Sequence, residues 1–247
     1  MCTVEKRGNL YILTLTGNNE HRLNPTLITS IRSSLSQIKS QALKSKTPSA
    51  LITTAHGNFF SNGYDLSWVN STPNPTISKQ IVDSQLQTLI SDLISFPMPT
   101  IAAINGHASA AGLILAMAHD YLVMRRERGY LYMSEVDIGM VIQPWFFAIL
   151  RSKIGGWEGR RKVVLMAEKV TAETAKREIG VVYEVYDGVE GTVDGAVKLG
   201  EKLMKRGWDG VVYGENRKGL LSEVLDLISK NDDDDDDAKC HGIRPRL

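Results

Sequence analysis

A stretch rich in alanine and glycine at positions 105–118 contains the first candidates for catalytic residues in this sequence. It follows a short β-like run at 100–104, so we expect it at a strand-to-helix turn. The first N–H groups of a helix have no acceptor within the helix, and the helix dipole adds partial positive charge there. Such a turn could hold a developing negative charge, as half of an oxyanion hole. The alternative is that the small residues only let a helix pack closely on a sheet, and this stretch alone does not separate the two.

The flanking segments predict an α/β fold that positions this turn. Asn24 is expected to cap a helix that has Pro25 at its first position. The composition of 70–76 predicts a mobile surface connection. Strands, the first two forming a hairpin, are expected at 3–7, 11–16, 50–54, 100–104, 121–124, 130–133 and 181–186. Further helices are expected at 77–95, 145–153, 157–167, 171–179, 189–206 and 215–229.

Composition argues against several classes of function. The 247 residues carry 29 basic and 28 acidic side chains, so no global field favours nucleic acid or an anionic membrane as a partner. Cys2 and Cys240 lie near opposite ends, which predicts neither a disulfide framework nor a metal-ligand cluster and fits a reducing compartment. The N-terminus lacks the apolar core of a secretory signal, and polar residues interrupt the apolar segment 101–118. We therefore expect a soluble protein.

The C-terminal segment differs from the rest of the chain in composition. Residues 232–237 are an uninterrupted run of aspartates, which repel one another and cannot bury a core. We expect 231–247 to be a disordered tail, and a solvated spacer is favoured over an acidic binding site. The final residues Pro245, Arg246 and Leu247 resemble the SKL-type address, which predicts the peroxisome as location and an import receptor as partner.

Two segments together resemble the oxyanion-hole signatures of the crotonase, or enoyl-CoA hydratase/isomerase, superfamily. Residues 59–66 are similar to F-x-x-G-x-D-L, and residues 105–112 to N-G-x-x-x-G-G-G after a P-T-I-A-A-I strand. The resemblance implies a spiral core of repeated ββα units over 1–188 and a C-terminal helical trimerisation region over 189–230. It also implies a homotrimer or a dimer of trimers.

Carried over by position, the resemblance gives roles to residues of both signatures. The backbone N–H groups of Tyr64 and Ala111 would point at the thioester oxygen of an acyl-CoA, with Gly63 and Gly112 in the substrate pocket beside them. Ala110 and Ala111 stand where the family has two glycines. Alanine suits the role provided that the turn needs no positive φ there, and its methyl group narrows the acyl slot.

The resemblance also favours isomerisation over hydration. Hydratases of the family position water with two glutamates, and the first of those positions is Ile114 here, an aliphatic side chain that lines the pocket and cannot deprotonate water. The second position is Glu135, and residues 138–146 resemble the L-G-I-V-x-P-x-W loop of the Δ3,Δ2-enoyl-CoA isomerases. One carboxylate can take a proton from C2 and return it to C4.

Other titratable side chains near these motifs have competing interpretations. Glu135 itself could be an ordinary solvated carboxylate, which is the usual fate of a glutamate. Asp137 is a nearby alternative base, whereas the place of Asp65 in the first motif predicts a structural role in holding that loop. A structural or surface role is favoured for His107.

For the CoA part of the substrate, the resemblance points to Arg22, Leu23, Ser61 and Leu66, which would bracket the adenine and the pantetheine. CoA belongs to the substrate, so no separate cofactor and no metal is expected. The prediction is a peroxisomal Δ3,Δ2-enoyl-CoA isomerase of plant type that acts in the β-oxidation of unsaturated fatty acids. The alternatives are a hydratase or acyl-CoA hydrolase on the same fold, and a non-catalytic acyl-CoA-binding partner protein.

Overall fold

A computed structural model describes residues 1–230 of the chain. The acidic run and the terminal tripeptide lie outside the described residues. The strands are β1 (Cys2–Arg7), β2 (Leu10–Leu15), β3 (Ala50–Ala55), β4 (Phe59–Ser61), β5 (Thr100–Ile104), β6 (His107–Ser109), β7 (Tyr121–Arg125), β8 (Leu131–Tyr132) and β9 (Glu184–Tyr186). The helices are α1 (Pro25–Ser45), α2 (Leu66–Ser71), α3 (Pro75–Ile94), α4 (Ala111–Met117), α5 (Pro144–Lys153), α6 (Trp157–Arg160), α7 (Ala172–Thr174), α8 (Gly188–Met204) and α9 (Gly210–Leu220). Residues 222–230 form a further helical stretch.

The main sheet has six strands in the order β1-β2-β3-β5-β7-β9. Strands β1 and β2 form the predicted hairpin, with Arg7 paired to Leu10 and Gly8 at φ 62° in the turn. From β2 to β9 every neighbouring pair is parallel. Strands β3 and β5 are buried along their whole length, as expected where both faces of a parallel sheet are covered.

A second, smaller sheet contains β4, β6 and β8, also parallel to one another. Each of its strands directly follows a strand of the main sheet: β4 follows β3, β6 follows β5, and β8 follows β7. The chain therefore adds one strand to each sheet in every repeat, which is the expected spiral of repeated units. Parallel pairing also brings the ends of β4 and β6 to the same edge, so the segments that follow them become neighbours.

Helix boundaries follow local capping. The Asn24 side chain accepts a hydrogen bond from the N–H of Leu27 at 3.0 Å, and Pro25 opens α1, as predicted. The connection expected over 70–76 is shorter than predicted, because α2 and α3 occupy both of its ends. The helices predicted over 157–167 and 171–179 differ in type: α6 and α7 continue as π-helical turns at Arg161–Leu165 and Ala175–Ile179.

Helix α8 packs on the main sheet. Its residues Ala196, Leu199 and Leu203 form one buried cluster with residues of β2, β3, β5 and β7. A Cβ at Gly200 would lie 2.5 Å from Leu10 Cδ1, so the helix approaches the sheet closely there. The sequence groups this helix with a C-terminal appendage; in the structure it shares the core, because its apolar face covers the side of the sheet opposite to α1 and α3.

Helix α9 is attached through one buried arginine. The Arg217 side chain is 4% exposed, and its guanidinium donates to the carbonyls of Phe96 at 2.7 Å and Met98 at 2.6 Å, and to the Asp120 carboxylate at 2.6 Å. These bonds satisfy the buried cation and tie α9 to the segment that leads into β5. Across residues 1–230, no helix has both the length and the apolarity to cross a bilayer.

Candidate active site

The two motifs meet at the edge of the smaller sheet. A Cβ built on Gly63 would lie 3.1 Å from the Ala110 Cβ and 3.4 Å from the backbone nitrogen of Ala111. Gly63 has a φ of 69°, a conformation that suits glycine. The segment after β4 therefore touches the first turn of α4, as the predicted oxyanion hole requires.

The backbone N–H of Tyr64 points away from Leu23, the residue to which the neighbouring backbone groups are hydrogen-bonded. The N–H of Leu23 donates to the Gly63 carbonyl at 2.7 Å, and the N–H of Asp65 donates to the Leu23 carbonyl at 2.9 Å. In a trans peptide the C=O and the N–H point in opposite directions, and residues 1–230 contain no cis peptide bond. Because the Gly63 carbonyl faces Leu23, the N–H of Tyr64 faces the other way.

The direction of the Ala111 N–H is set by the carbonyl of the same peptide, as at Tyr64. The Ala110 carbonyl accepts from Leu113 at 2.9 Å and from Ile114 at 3.2 Å, so it points into α4. The N–H of Ala111 therefore points out of the N-terminal end of the helix. Within the described chain, neither this N–H nor that of Tyr64 donates to a backbone or side-chain acceptor. Two backbone donors on adjacent segments thus have no acceptor within residues 1–230.

Ala110 adopts a conformation that normally requires glycine. Its φ is 51° and its ψ is −126°, whereas Ala111 is the first helical residue. The condition set for alanine in this turn, a backbone without positive φ, is therefore met at Ala111 and not at Ala110. Backbone strain of about 1–3 kcal/mol is typical of a side chain held in such a region. The hydrogen bond from the Ala110 N–H to the Tyr132 carbonyl, at 3.0 Å, helps to hold it.

Gly112 allows α4 to approach β4. A Cβ at this position would lie 2.2 Å from the Ser61 carbonyl oxygen, much closer than any carbon–oxygen contact. Ser61 is itself fully buried, so its backbone has no room to move outward. One turn along the helix, Ile114 is also fully buried and is an apolar neighbour of Ala111.

Glu135 is a buried carboxylate with one unpartnered oxygen. It follows β8 in a turn closed by a hydrogen bond from the Met140 N–H to the Glu135 carbonyl at 2.8 Å. The residue is 7% exposed, and its Oε2 has no hydrogen-bond partner within residues 1–230. Burial raises the pKa of Glu135, although the backbone N–H groups of Ser134 and Glu135 partly oppose the rise. A free oxygen and a raised pKa are properties of a general base.

The competing acids have other surroundings. Asp137 is exposed on the same turn. Asp65 caps α2 by accepting from the N–H of Trp68 at 3.0 Å, and it also accepts from Asn24 Nδ2 at 3.0 Å, which is the structural role expected of it. His107 lies between the rings of Phe59 and Tyr130, at centroid distances of 4.8 Å and 5.4 Å. Glu135 is thus the buried carboxylate of its loop.

Sequence reasoning missed a buried polar network beside the first donor. The Tyr64 hydroxyl donates to Asp83 Oδ1, and Gln87 Nε2 donates to Asp83 Oδ2 at 2.9 Å. The charges of Asp83 and Glu135 both raise the pKa of the Tyr64 phenol, after burial as the largest cause. The available signal was the pair Asp83 and Gln87, four residues apart on the apolar face of α3.

The residues predicted to contact CoA divide into two groups. Arg22 and Leu66 are partly exposed, and the Arg22 guanidinium pairs with Glu20. Leu23 and Ser61 are fully buried, and the Ser61 hydroxyl donates to the His21 carbonyl at 2.8 Å. Neither of these two side chains reaches the surface of the described chain, and all four CoA contacts stay predictions.

Comparison with known proteins shows the family of this chain. The family model described as enoyl-CoA hydratase/isomerase matches residues 6–213. The chain belongs to this family. It is 54% identical to Arabidopsis thaliana "Enoyl-CoA delta isomerase 1, peroxisomal" over 91% of each chain. It is 46% identical to Arabidopsis thaliana "Enoyl-CoA delta isomerase 3", over 94% of this chain and 98% of the relative.

The fold of the family is also found among solved structures. An enoyl-CoA isomerase of Mycobacterium tuberculosis superposes with a TM-score of 0.79 at 20% identity, covering 93% of this chain and 94% of the other. The crotonase fold predicted from the two motifs is thereby confirmed. Residues 1–230 contain no cluster of three or more His, Cys, Asp or Glu side chains that could hold a metal ion.

Proposed function

We propose that this protein is a Δ3,Δ2-enoyl-CoA isomerase. The observation that carries the proposal is the combination of two backbone donors without an acceptor, Tyr64 and Ala111, with the buried carboxylate of Glu135, whose Oε2 has no hydrogen-bond partner within residues 1–230. The names of the two Arabidopsis relatives support the same reaction. The substrate class is an acyl-CoA with a double bond between C3 and C4, and CoA enters only as part of that substrate.

In the proposed reaction the Glu135 carboxylate takes a proton from C2 of the thioester. The electron pair of the broken C–H bond forms a C1–C2 double bond, and the thioester carbonyl becomes an enolate oxygen. The N–H groups of Tyr64 and Ala111 stabilise that oxygen as its charge develops, which is the largest single contribution in many such reactions. Protonated Glu135 then returns the proton to C4, and the double bond ends between C2 and C3.

Hydration of the double bond is the second candidate, and Ile114 argues against it. Water addition needs a group that holds and deprotonates water near C3. Ile114 is aliphatic and fully buried, and it offers neither function. A non-catalytic acyl-CoA-binding role is argued against by Glu135, since an unpartnered buried carboxylate is costly to a fold that does not use it.

The test follows conversion of a 3-enoyl-CoA to the conjugated 2-enoyl thioester by absorbance. We expect Glu135→Gln to lower kcat by about a hundredfold or more, the range for a lost general base. Asp137→Asn is the matched control, because it removes an exposed carboxylate from the same turn, and it should leave kcat unchanged. Isomerisation that survives Glu135→Gln would refute the role of Glu135, and hydration of a 2-enoyl-CoA without isomerisation would refute the reaction.

The peroxisome is the proposed location, and β-oxidation of unsaturated fatty acids is the proposed pathway. The terminal tripeptide and the name of one Arabidopsis relative support the location, although the second relative carries no such label. A homotrimer or a dimer of trimers is the proposed assembly. Import of a fluorescent fusion that ends in Pro245, Arg246 and Leu247 should stop when these three residues are removed, and unchanged import would refute the address.

A further inference from the structure

Asp83 is a buried carboxylate that the reaction proposed above does not use. Its side chain lies on α3 and is 8% exposed. Both of its oxygens accept hydrogen bonds, Oδ1 from the Tyr64 hydroxyl and Oδ2 from Gln87 Nε2 at 2.9 Å. A carboxyl group that accepts on both oxygens is suited to the ionised form. Within residues 1–230, no lysine or arginine forms an ion pair with it.

Burying such a group carries a free-energy cost that needs a reason. Burial raises the pKa of Asp83, while the Tyr64 and Gln87 hydrogen bonds, the nearby Trp145 indole and the charge of Lys79 oppose the rise. Two apolar side chains of similar volume would fill the same space without this cost. The hydrogen bond from Tyr64 to Asp83 is therefore explained better as a means of holding Tyr64 in place than as a contribution to the stability of the fold.

Tyr64 is the residue that Asp83 holds, and it supplies the first oxyanion donor. Gly63, which precedes it, has a φ of 69° and the conformational freedom of glycine. On one side the backbone is attached to Leu23 through the Gly63 carbonyl at 2.7 Å. On the other side the chain is attached through the phenol of Tyr64 to Asp83. The two attachments together restrict rotation of the peptide that carries the Tyr64 N–H.

We propose that Asp83 is a positioning residue for the isomerisation: by accepting the hydroxyl of Tyr64, it keeps the backbone N–H of Tyr64 aimed at the thioester oxygen. The inference rests on the proposed function. Asp83 acts through Tyr64 and is not itself the base, because both of its oxygens are occupied, whereas Glu135 Oε2 is free. Gln87 has the supporting role of fixing the second oxygen of Asp83.

Steady-state kinetics with a 3-enoyl-CoA test the proposal. Asp83→Ala and Tyr64→Phe each break the same hydrogen bond and keep the Tyr64 N–H, so each should lower kcat by about tenfold with KM within about twofold. The double variant should be no slower than the slower single variant, since both changes remove one interaction. Asp92→Ala is the matched control, because Asp92 lies on α3 like Asp83 but forms a partly exposed ion pair with Arg32 of α1. This variant should leave kcat unchanged.

Asp83→Asn separates the hydrogen bond from the charge. Its Oδ1 can still accept from the Tyr64 hydroxyl, and Gln87 can turn its amide to accept from Nδ2. We expect kcat within about threefold of the wild type, as conservative rescue of a hydrogen bond predicts. An asparagine variant as slow as the alanine variant would assign the effect to charge and overturn the positioning role.

A second measurement does not depend on turnover. The carbonyl stretching frequency of a bound saturated acyl-CoA reports how strongly the two N–H groups polarise the thioester. It should be lowered in the wild-type complex and return toward the value in water in Asp83→Ala and Tyr64→Phe, but not in Asp92→Ala. If the variants keep the wild-type frequency and kcat, the inference about Asp83 fails while the proposed function stands. If wild-type protein polarises no thioester, the oxyanion hole and the inference fail together.

Discussion

Replacing Gly112 with alanine perturbs the oxyanion hole through packing alone. The new Cβ would lie 2.2 Å from the Ser61 carbonyl oxygen, and ordinary contact begins at 3.4 Å. Helix α4 and strand β4 must therefore separate by about 1.2 Å at this point. The obstructing atom belongs to the backbone of a fully buried residue, so no flexible side chain can give way. The N–H of Ala111, one residue earlier, moves with the helix.

The expected loss follows from that displacement. A misplacement of about 1 Å in a catalytic group costs roughly a hundredfold in rate, and loss of one oxyanion donor costs about 10²–10³. We expect Gly112→Ala to lower kcat/KM for a 3-enoyl-CoA by about a hundredfold, or about 2.7 kcal/mol of transition-state stabilisation. Overpacking should also lower the free energy of unfolding by about 1–3 kcal/mol.

Activity is measured by the absorbance of the conjugated 2-enoyl thioester, and the free energy of unfolding of wild type and Gly112→Ala is measured by chemical denaturation. Gly191→Ala is the matched control, because Gly191 lies in α8 with no atom within 4 Å of an added Cβ. It should leave kcat/KM unchanged and raise the free energy of unfolding by up to about 1 kcal/mol. A folded Gly112→Ala protein with kcat/KM within about threefold of the wild type would refute the link between this contact and the donor.

Two further predictions concern Ala110 and Glu135. Ala110→Gly should raise the free energy of unfolding by about 1 kcal/mol, because the relief of strain at φ 51° exceeds the entropy cost of glycine. Ala111→Gly, at a helical position, should not raise it. Equal stability of Ala110→Gly and wild type in denaturant would contradict this prediction. Because burial raises the pKa of Glu135, kcat/KM should fall with decreasing pH along a limb that lies above 4.5. The same raised pKa means that the folded state binds the proton more tightly, so the contribution of Glu135 to stability is greatest at low pH and is lost as pH rises from 4.5 through the folded-state value. Denaturation of wild type and Glu135→Gln across that range should show a difference that grows with pH, and parallel curves would count against the raised pKa.

Local features of this protein were determined by the sequence alone. The Asn24 and Pro25 pair starts α1 because a side-chain acceptor and a fixed φ act within a single turn. The hairpin of β1 and β2 and the capping role of Asp65 are local in the same sense. The family resemblance depends on two short motifs, residues 59–66 and 105–112, which can each be recognised from the local sequence.

Properties that depend on distant segments were decided only by the tertiary structure. Glu135 and Asp137 are two residues apart in sequence, and only the packing of their turn makes one buried and the other exposed. The network of Tyr64, Asp83 and Gln87 joins two segments whose meeting no local pattern specifies. The positive φ of Ala110 likewise goes against the preference of alanine, and it occurs where the Ala110 N–H donates to the carbonyl of the distant Tyr132. Local propensity acts over a few residues, whereas burial and hydrogen-bond partners are set by the assembled chain.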